Sequence, residues 1–81
     1  MVVIRVLGTG CARCTELERM CFDVAAVNNI NANITKITDL KEIMSYGIMQ
    51  TPGLVINGEM KLSGKLPTSS TLLQWMKEND K

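Results

Sequence analysis

Gly8-Thr9-Gly10-Cys11-Ala12-Arg13-Cys14 is the stretch on which the fold turns. Before it, Val2–Leu7 is a short apolar run rich in β-branched residues and ended by glycines, which predicts a strand. Arg5 inside that run implies that one side or end of the strand reaches solvent. After it, from Ala12 to about Asn28, Cys14, Leu17, Cys21, Val24 and Ala25 recur at three- and four-residue spacing, with Asn28 closing the series. Arg13, Glu16, Arg19 and Asp23 line the opposite side, so the segment reads as a half-buried amphipathic helix. Two cysteines at C-x-x-C spacing therefore fall where a strand hands over to a helix.

Position gives that pair its chemistry. At a helix N-terminus a thiol meets unpaired backbone N–H groups and the positive end of the helix dipole, both of which favour thiolate. Arg13 adds a cation next door. Positions i and i+3 on a helix lie about 5 Å apart, inside the span a disulfide needs. The expected roles are Cys11 as the attacking thiolate and Cys14, turned toward the buried face, as the thiol that resolves a mixed disulfide. Cys21 lies two helical turns beyond Cys14, about 10 Å away and outside disulfide reach. It reads as a small core residue, with a regulatory or metal-binding thiol as the other reading.

Downstream, Asn28-Asn29-Ile30-Asn31 breaks the helix, and Ala32–Ile37 alternates small or apolar with polar residues as a second strand. Asp39-Leu40-Lys41-Glu42 has the cap-x-x-Glu form of a helix start, and Gly47 stops that short helix. Leu54–Ile56 and Met60–Leu62 flank Asn57-Gly58, a pair suited to a type I′ hairpin turn because both central residues need positive φ. Ser69 or Ser70 is expected to open a last helix with Leu72, Leu73 and Met76 on one side. The order is β-α-β-α-β-β-α. Strands joined through a helix pair in parallel by a right-handed crossover, and the hairpin supplies an antiparallel half. The fold class is thus α/β, a four-stranded mixed sheet flanked by helices, with residues 1–81 as one domain.

Composition excludes several functions. The 81 residues suffice for one small core, and 46% apolar with 21% charged residues is ordinary for a globular chain. Nine basic against eight acidic residues leave +1, so no basic field points to nucleic acid or an anionic membrane. One Trp, one Tyr and one Phe are too few for a base-stacking platform. The absence of His removes imidazole acid–base catalysis and the Cys–His nucleophilic pair. Nothing approaches a signal peptide or a membrane-spanning run. Three cysteines, an odd number, fit thiols in a reducing cytoplasm better than a secreted disulfide scaffold.

Together with Thr51-Pro52-Gly53 before the strand Leu54–Ile56, and Gly64 after the hairpin, the Gly8–Cys14 motif resembles the thioredoxin/glutaredoxin superfamily, closest to its short glutaredoxin-sized prokaryotic members. The resemblance covers nearly the whole chain, in element order as well as motif. It implies a thioredoxin-like fold and thiol–disulfide oxidoreductase activity on protein or small-molecule disulfides. It implies further that Pro52 is cis and faces the disulfide, and that Thr51 offers backbone hydrogen bonds to an extended substrate. From the residues alone, a trans proline opening a strand is the ordinary reading. Gly10 and Arg13 complete the expected substrate-binding set. The implied partners are a disulfide-bearing protein and an electron donor, either a reductase or glutathione. No cofactor or metal is called for.

Some positions depart from the pattern. The buried carboxylate that thioredoxins carry ahead of the active site has no counterpart, since Glu16 is the first acidic residue. Gly10 replaces the usual Trp, Ala12-Arg13 the Gly-Pro or Pro-Tyr pair, and Ser63-Gly64-Lys65 the glutathione-binding Gly-Gly-x-x-Asp of glutaredoxins. The competing reading is a soft-metal-binding module or metallochaperone, which also sets C-x-x-C between a first strand and helix. Such folds run β-α-β-β-α-β, however, and the helix expected after Asp39 and the helical C-terminus do not fit that order.

Overall fold

The computed structural model describes residues 1–10, 12–48 and 50–80; Cys11, the expected attacking thiolate, lies outside the described residues. The elements are β1 Val2–Leu7, α1 Ala12–Val27, β2 Ala32–Ile37, α2 Leu40–Ser45, β3 Gly53–Ile56, β4 Glu59–Ser63 and α3 Ser69–Asn79. The strands form one sheet in the order β2-β1-β3-β4. β1 pairs parallel with β2 and antiparallel with β3, and β3 pairs antiparallel with β4. The mixed α/β sheet expected from the pattern is the one that forms. Among the described residues no helix is long and apolar enough to cross a membrane.

Each helix end has a local cause. α1 buries the face expected of it, Cys14, Leu17, Cys21, Val24 and Ala25. Asn28 is instead exposed, its side-chain amide donating to the Val24 carbonyl. Past the helix, Asn29 takes φ +55°, while Ile30 N–H donates to Ala25 O and Asn29 N–H to Ala26 O. That is a Schellman stop with Asn in the left-handed position and Ile30 packed back on the core. Asp39 caps α2 by accepting from Lys41 N at 3.0 Å. The last helix opens at Ser69, one of the two serines expected. Thr68 is its cap, accepting from Thr71 N at 3.2 Å, and Ser69 is already helical.

The hairpin turn has the conformation its sequence demands, φ +51° at Asn57 and +83° at Gly58. Asn57 also ties three elements together. Its Oδ1 accepts from Val3 N at 2.8 Å, and its Nδ2 donates to Asn79 O at 2.9 Å. The start of β1, the hairpin tip and the end of α3 are thereby joined.

Register then sorts the side chains onto two faces. Val2, Ile4 and Val6 of β1, with Leu54 and Ile56 of β3, face α1 and α3 and form the main core with Leu17, Cys21, Val24, Leu72 and Met76. On the other face Leu7, Ile37 and Val55 pack with Ile43 of α2, flanked by Ile48 and Met60. Arg5, paired with Thr35 and Val55, lies on this second face and is half-buried, as its charge requires. Helices thus cover one face along its length, whereas the six-residue α2 covers only the end of the other where β1 finishes.

Candidate functional site

The finishing end of β1 is where the chemistry-bearing segments meet. Gly8 continues the β1 path and donates its N–H to Ile37 O at 3.0 Å, which ties it to the end of β2. Thr9 and Gly10 are exposed, and Gly10 takes φ +95° with open space where a side chain would stand. A left-handed residue is needed there to turn the chain into α1, and glycine adopts it without steric cost. α1 then begins with Ala12-Arg13-Cys14-Thr15, a first turn holding no acidic residue. The helix dipole leaves a partial positive charge at this end, and the first turn adds no carboxylate to offset it.

Cys14 is 0% exposed and is held bonded rather than as a titrating thiol. Its side chain lies directly on Gly8: a Cβ built at Gly8 would come within 2.6 Å of the Cys14 Cβ and nearer still to Sγ. In the sequence Gly8 reads as the end of a strand and the start of the Gly8–Cys14 motif, with no packing role attached. A glycine at the strand end six residues before a buried cysteine carried the signal, but only the packing gives it meaning. Arg13 is exposed on the solvent side of the same turn.

Thr51 and Pro52 arrive at the same end through the sheet. β3 starts at Gly53, which pairs with Leu7, the residue before Gly8. The Thr51–Pro52 peptide is cis, as the resemblance implied and the residues alone did not. Pro52 is buried and Thr51 half-buried. The turn after β4 anchors this loop: Gly64 N–H donates to Pro52 O at 2.7 Å, and Ser63 Oγ to Gln50 O at 3.2 Å. Gly64 takes φ +76° and leaves its Cβ direction to the Gln50 side chain. Sequence reading had marked Gly64 but not the hydroxyl of Ser63. Beside the loop is an open, mostly apolar groove of about 350 Å³ lined by Leu40, Ile43, Met44, Ile48, Gln50 and Thr51. The loop carrying Gly10, the first turn carrying Arg13 and Cys14, and the Thr51–Pro52 loop all lie at this one end of the sheet.

Cys21 is elsewhere. It is 0% exposed in the main core and is a free thiol. Burial, assisted by the negative charge of Glu18, pushes its pKa from 9.0 up to about 12. The folded chain therefore holds that proton more tightly than the unfolded chain. Stability from this group is complete below pH 9 and is lost as pH rises through 9 toward 12, with a slope approaching about 1.4 kcal/mol per unit. Urea midpoints of wild type and Cys21→Ala should therefore converge between pH 8.5 and 10.5; parallel pH dependences would show that Cys21 does not contribute.

Comparison with known proteins gives the family. A family profile described as a thioredoxin domain matches residues 2–77. The thioredoxin of Methanothermobacter thermautotrophicus is 32% identical over 72 residues, 89% of this chain and 94% of that protein. The thioredoxin of Methanocaldococcus jannaschii is 32% identical over 77 residues, 95% of this chain and 88% of that protein. With the strand order, the helix that opens beside the cysteine motif and the matched span in agreement, the chain belongs to the thioredoxin family.

Proposed function

We propose that the protein is a thiol–disulfide oxidoreductase that reduces disulfides through Cys11 and Cys14. The observation that carries this reading is the setting of Cys14: fully buried and bonded in the acid-free first turn of α1, one helical turn after the position of Cys11. Peptide dipoles at such a start stabilise a thiolate, and each pKa unit of depression corresponds to about 1.4 kcal/mol. Family membership supports the same chemistry.

In the proposed reaction the Cys11 thiolate attacks one sulfur of a substrate disulfide. A Cys11–substrate disulfide forms, and the other substrate sulfur leaves as a thiolate and takes a proton. Cys14 then loses its proton and attacks Cys11 Sγ. The Cys11–Cys14 bond closes, and the second substrate thiol is released. Two electrons and two protons have passed to the substrate, and an electron donor, a reductase or glutathione, returns them.

The remaining site residues position the substrate. Thr51, whose N–H and C=O have no partner among the described residues, offers both to an extended peptide beside Pro52. Gly10, lacking a side chain, leaves room for that peptide to approach. Arg13 supplies a cation beside the attacking sulfur. The whole span 1–81 acts as one thioredoxin-like unit in the cytoplasm, where a reducing environment keeps Cys21 a thiol.

Alkylation of the reduced protein at varied pH, coupled to an insulin-reduction assay, tests the reading. One thiol should titrate well below 8.5, and insulin should be reduced. Arg13→Glu should raise that midpoint; an unchanged curve would show that the guanidinium points away. Stoichiometric Cu(I) binding with negligible insulin reduction would favour a metallochaperone instead.

A further inference from the structure

β2 is an edge strand, and its register shows which of its backbone groups are unused. It pairs in parallel with β1, Val2 opposite Ala32 and Leu7 opposite Ile37. In such a pair, alternate residues turn both N–H and C=O to the same neighbour. Val2 N–H donates to Asn31 O and Gly8 N–H to Ile37 O, so the odd-numbered residues of this segment serve β1. Ala32, Ile34 and Lys36 therefore turn their N–H and C=O outward, where no strand pairs with them among the described residues. This edge is regular, with no proline, glycine or bulge, whereas the opposite edge strand β4 has its register broken against Leu54 and Val55.

A half-exposed aromatic ring flanks the same edge. Val24 and Val27 of α1 line a cavity shared with Ser69 and Leu73 of α3, which marks the side of α1 that faces α3. Phe22 lies about 140–160° round the helix from those valines. Because α1 packs on β1 and β2 and α3 on β3, Phe22 stands on the β2 side of the molecule.

We propose that the chain forms a two-fold dimer in which β2 pairs antiparallel with β2 of a second copy, centred on Ile34. A dyad there sets Ile34 opposite Ile34 and Ala32 opposite Lys36, so all the outward residues exchange both of their N–H···O bonds. The side chains agree with that register. On the helix-covered face isoleucine meets isoleucine and lysine meets alanine, so no like charges oppose; on the other face the exposed Asn33 meets the exposed Thr35. With strands about 4.8 Å apart and α1 lying over the β1–β2 gap, the two α1 helices come about 10 Å apart, a normal packing distance, with Phe22 in the seam. This self-complementarity selects a second copy as the occupant. The ends of the sheet that carry the cysteine motifs point in opposite directions and stay uncovered.

Sedimentation velocity of the full chain from micromolar to millimolar concentration, under reducing conditions that exclude intermolecular disulfides, tests the proposal together with amide hydrogen exchange. A dimer is expected, with exchange at Ala32, Ile34 and Lys36 slowing as it forms. Phe22→Glu places like charges in the seam, and Lys36→Pro removes an outward N–H without touching the β1 ladder. Each should weaken association at least about tenfold. A chain that stays monomeric at millimolar concentration overturns the proposal. So does a dimer whose outward β2 amides exchange as fast as in the monomer, or one that both variants leave as tight as wild type. Should Lys36→Pro fail to fold, the exposed position of Phe22 leaves Phe22→Glu to decide.

Discussion

Cys11→Ser should lower disulfide-reduction turnover by roughly a thousandfold or more, leaving the fold intact. A serine hydroxyl is not ionised near neutral pH and cannot form a disulfide with the substrate, so the first bond of the reaction has no donor. Cys14 cannot take over, because its sulfur is 0% exposed against Gly8 and out of reach of an approaching disulfide. Cys21 cannot either, being buried in the main core with its pKa near 12. The complementary variant separates the two roles. Cys14→Ser keeps the attacking thiol and loses the resolving one, so substrate should accumulate as a stable adduct at Cys11, visible by mass spectrometry. Turnover in Cys11→Ser above about a tenth of wild type would remove Cys11 from the nucleophile's role.

The largest effect on stability is expected at Ile4→Ala. Ile4 sits at the middle of β1, opposite Ile34 on one side and Ile56 on the other, and is 0% exposed. Removing a buried isoleucine to alanine costs about 2–5 kcal/mol, through lost transfer energy and the cavity left behind. At about 0.05–0.15 kcal/mol per residue, a chain this size has roughly 4–12 kcal/mol in all. The melting temperature should fall by about 10–25 °C, and the urea midpoint should drop with an unchanged slope. Phe22→Ala is the control. Phe22 is the larger side chain but is 52% exposed on α1, and its loss should move stability by only about 0.5 kcal/mol. Equal losses at the two positions would mean that the β1 side chains are not the centre of the core.

Much of this architecture is local in origin, and local features were readable. The buried stripe on α1 follows from three- and four-residue spacing, since helix geometry alone puts those positions on one face. Asn57-Gly58 predicted its turn because few residue pairs accept two positive φ values in succession. The start of α3 was less legible. Thr68, Ser69 and Ser70 are all competent caps, and the hydroxyl that accepts from Thr71 N is that of Thr68. At the candidate site, the spacing of Cys11 and Cys14 at a strand–helix junction was enough to suggest the chemistry. The part played by Ser63, which holds the Gln50 carbonyl across 13 residues of chain, left no mark in the sequence.

By itself, then, the sequence determined the order of elements, the faces they bury and the C-x-x-C spacing of Cys11 and Cys14 between the first strand and the first helix, because periodicity and turn chemistry act over a few residues. Tertiary structure alone decided that Thr51–Pro52 is cis and joins the Gly8–Gly10 loop at one end of the sheet. It also decided that Gly8 is small for the sake of a sulfur rather than a backbone angle. The physical reason is the same in each case. Contacts between residues distant in sequence depend on strand register and on which volumes are already filled, and neither quantity exists until the sheet has formed.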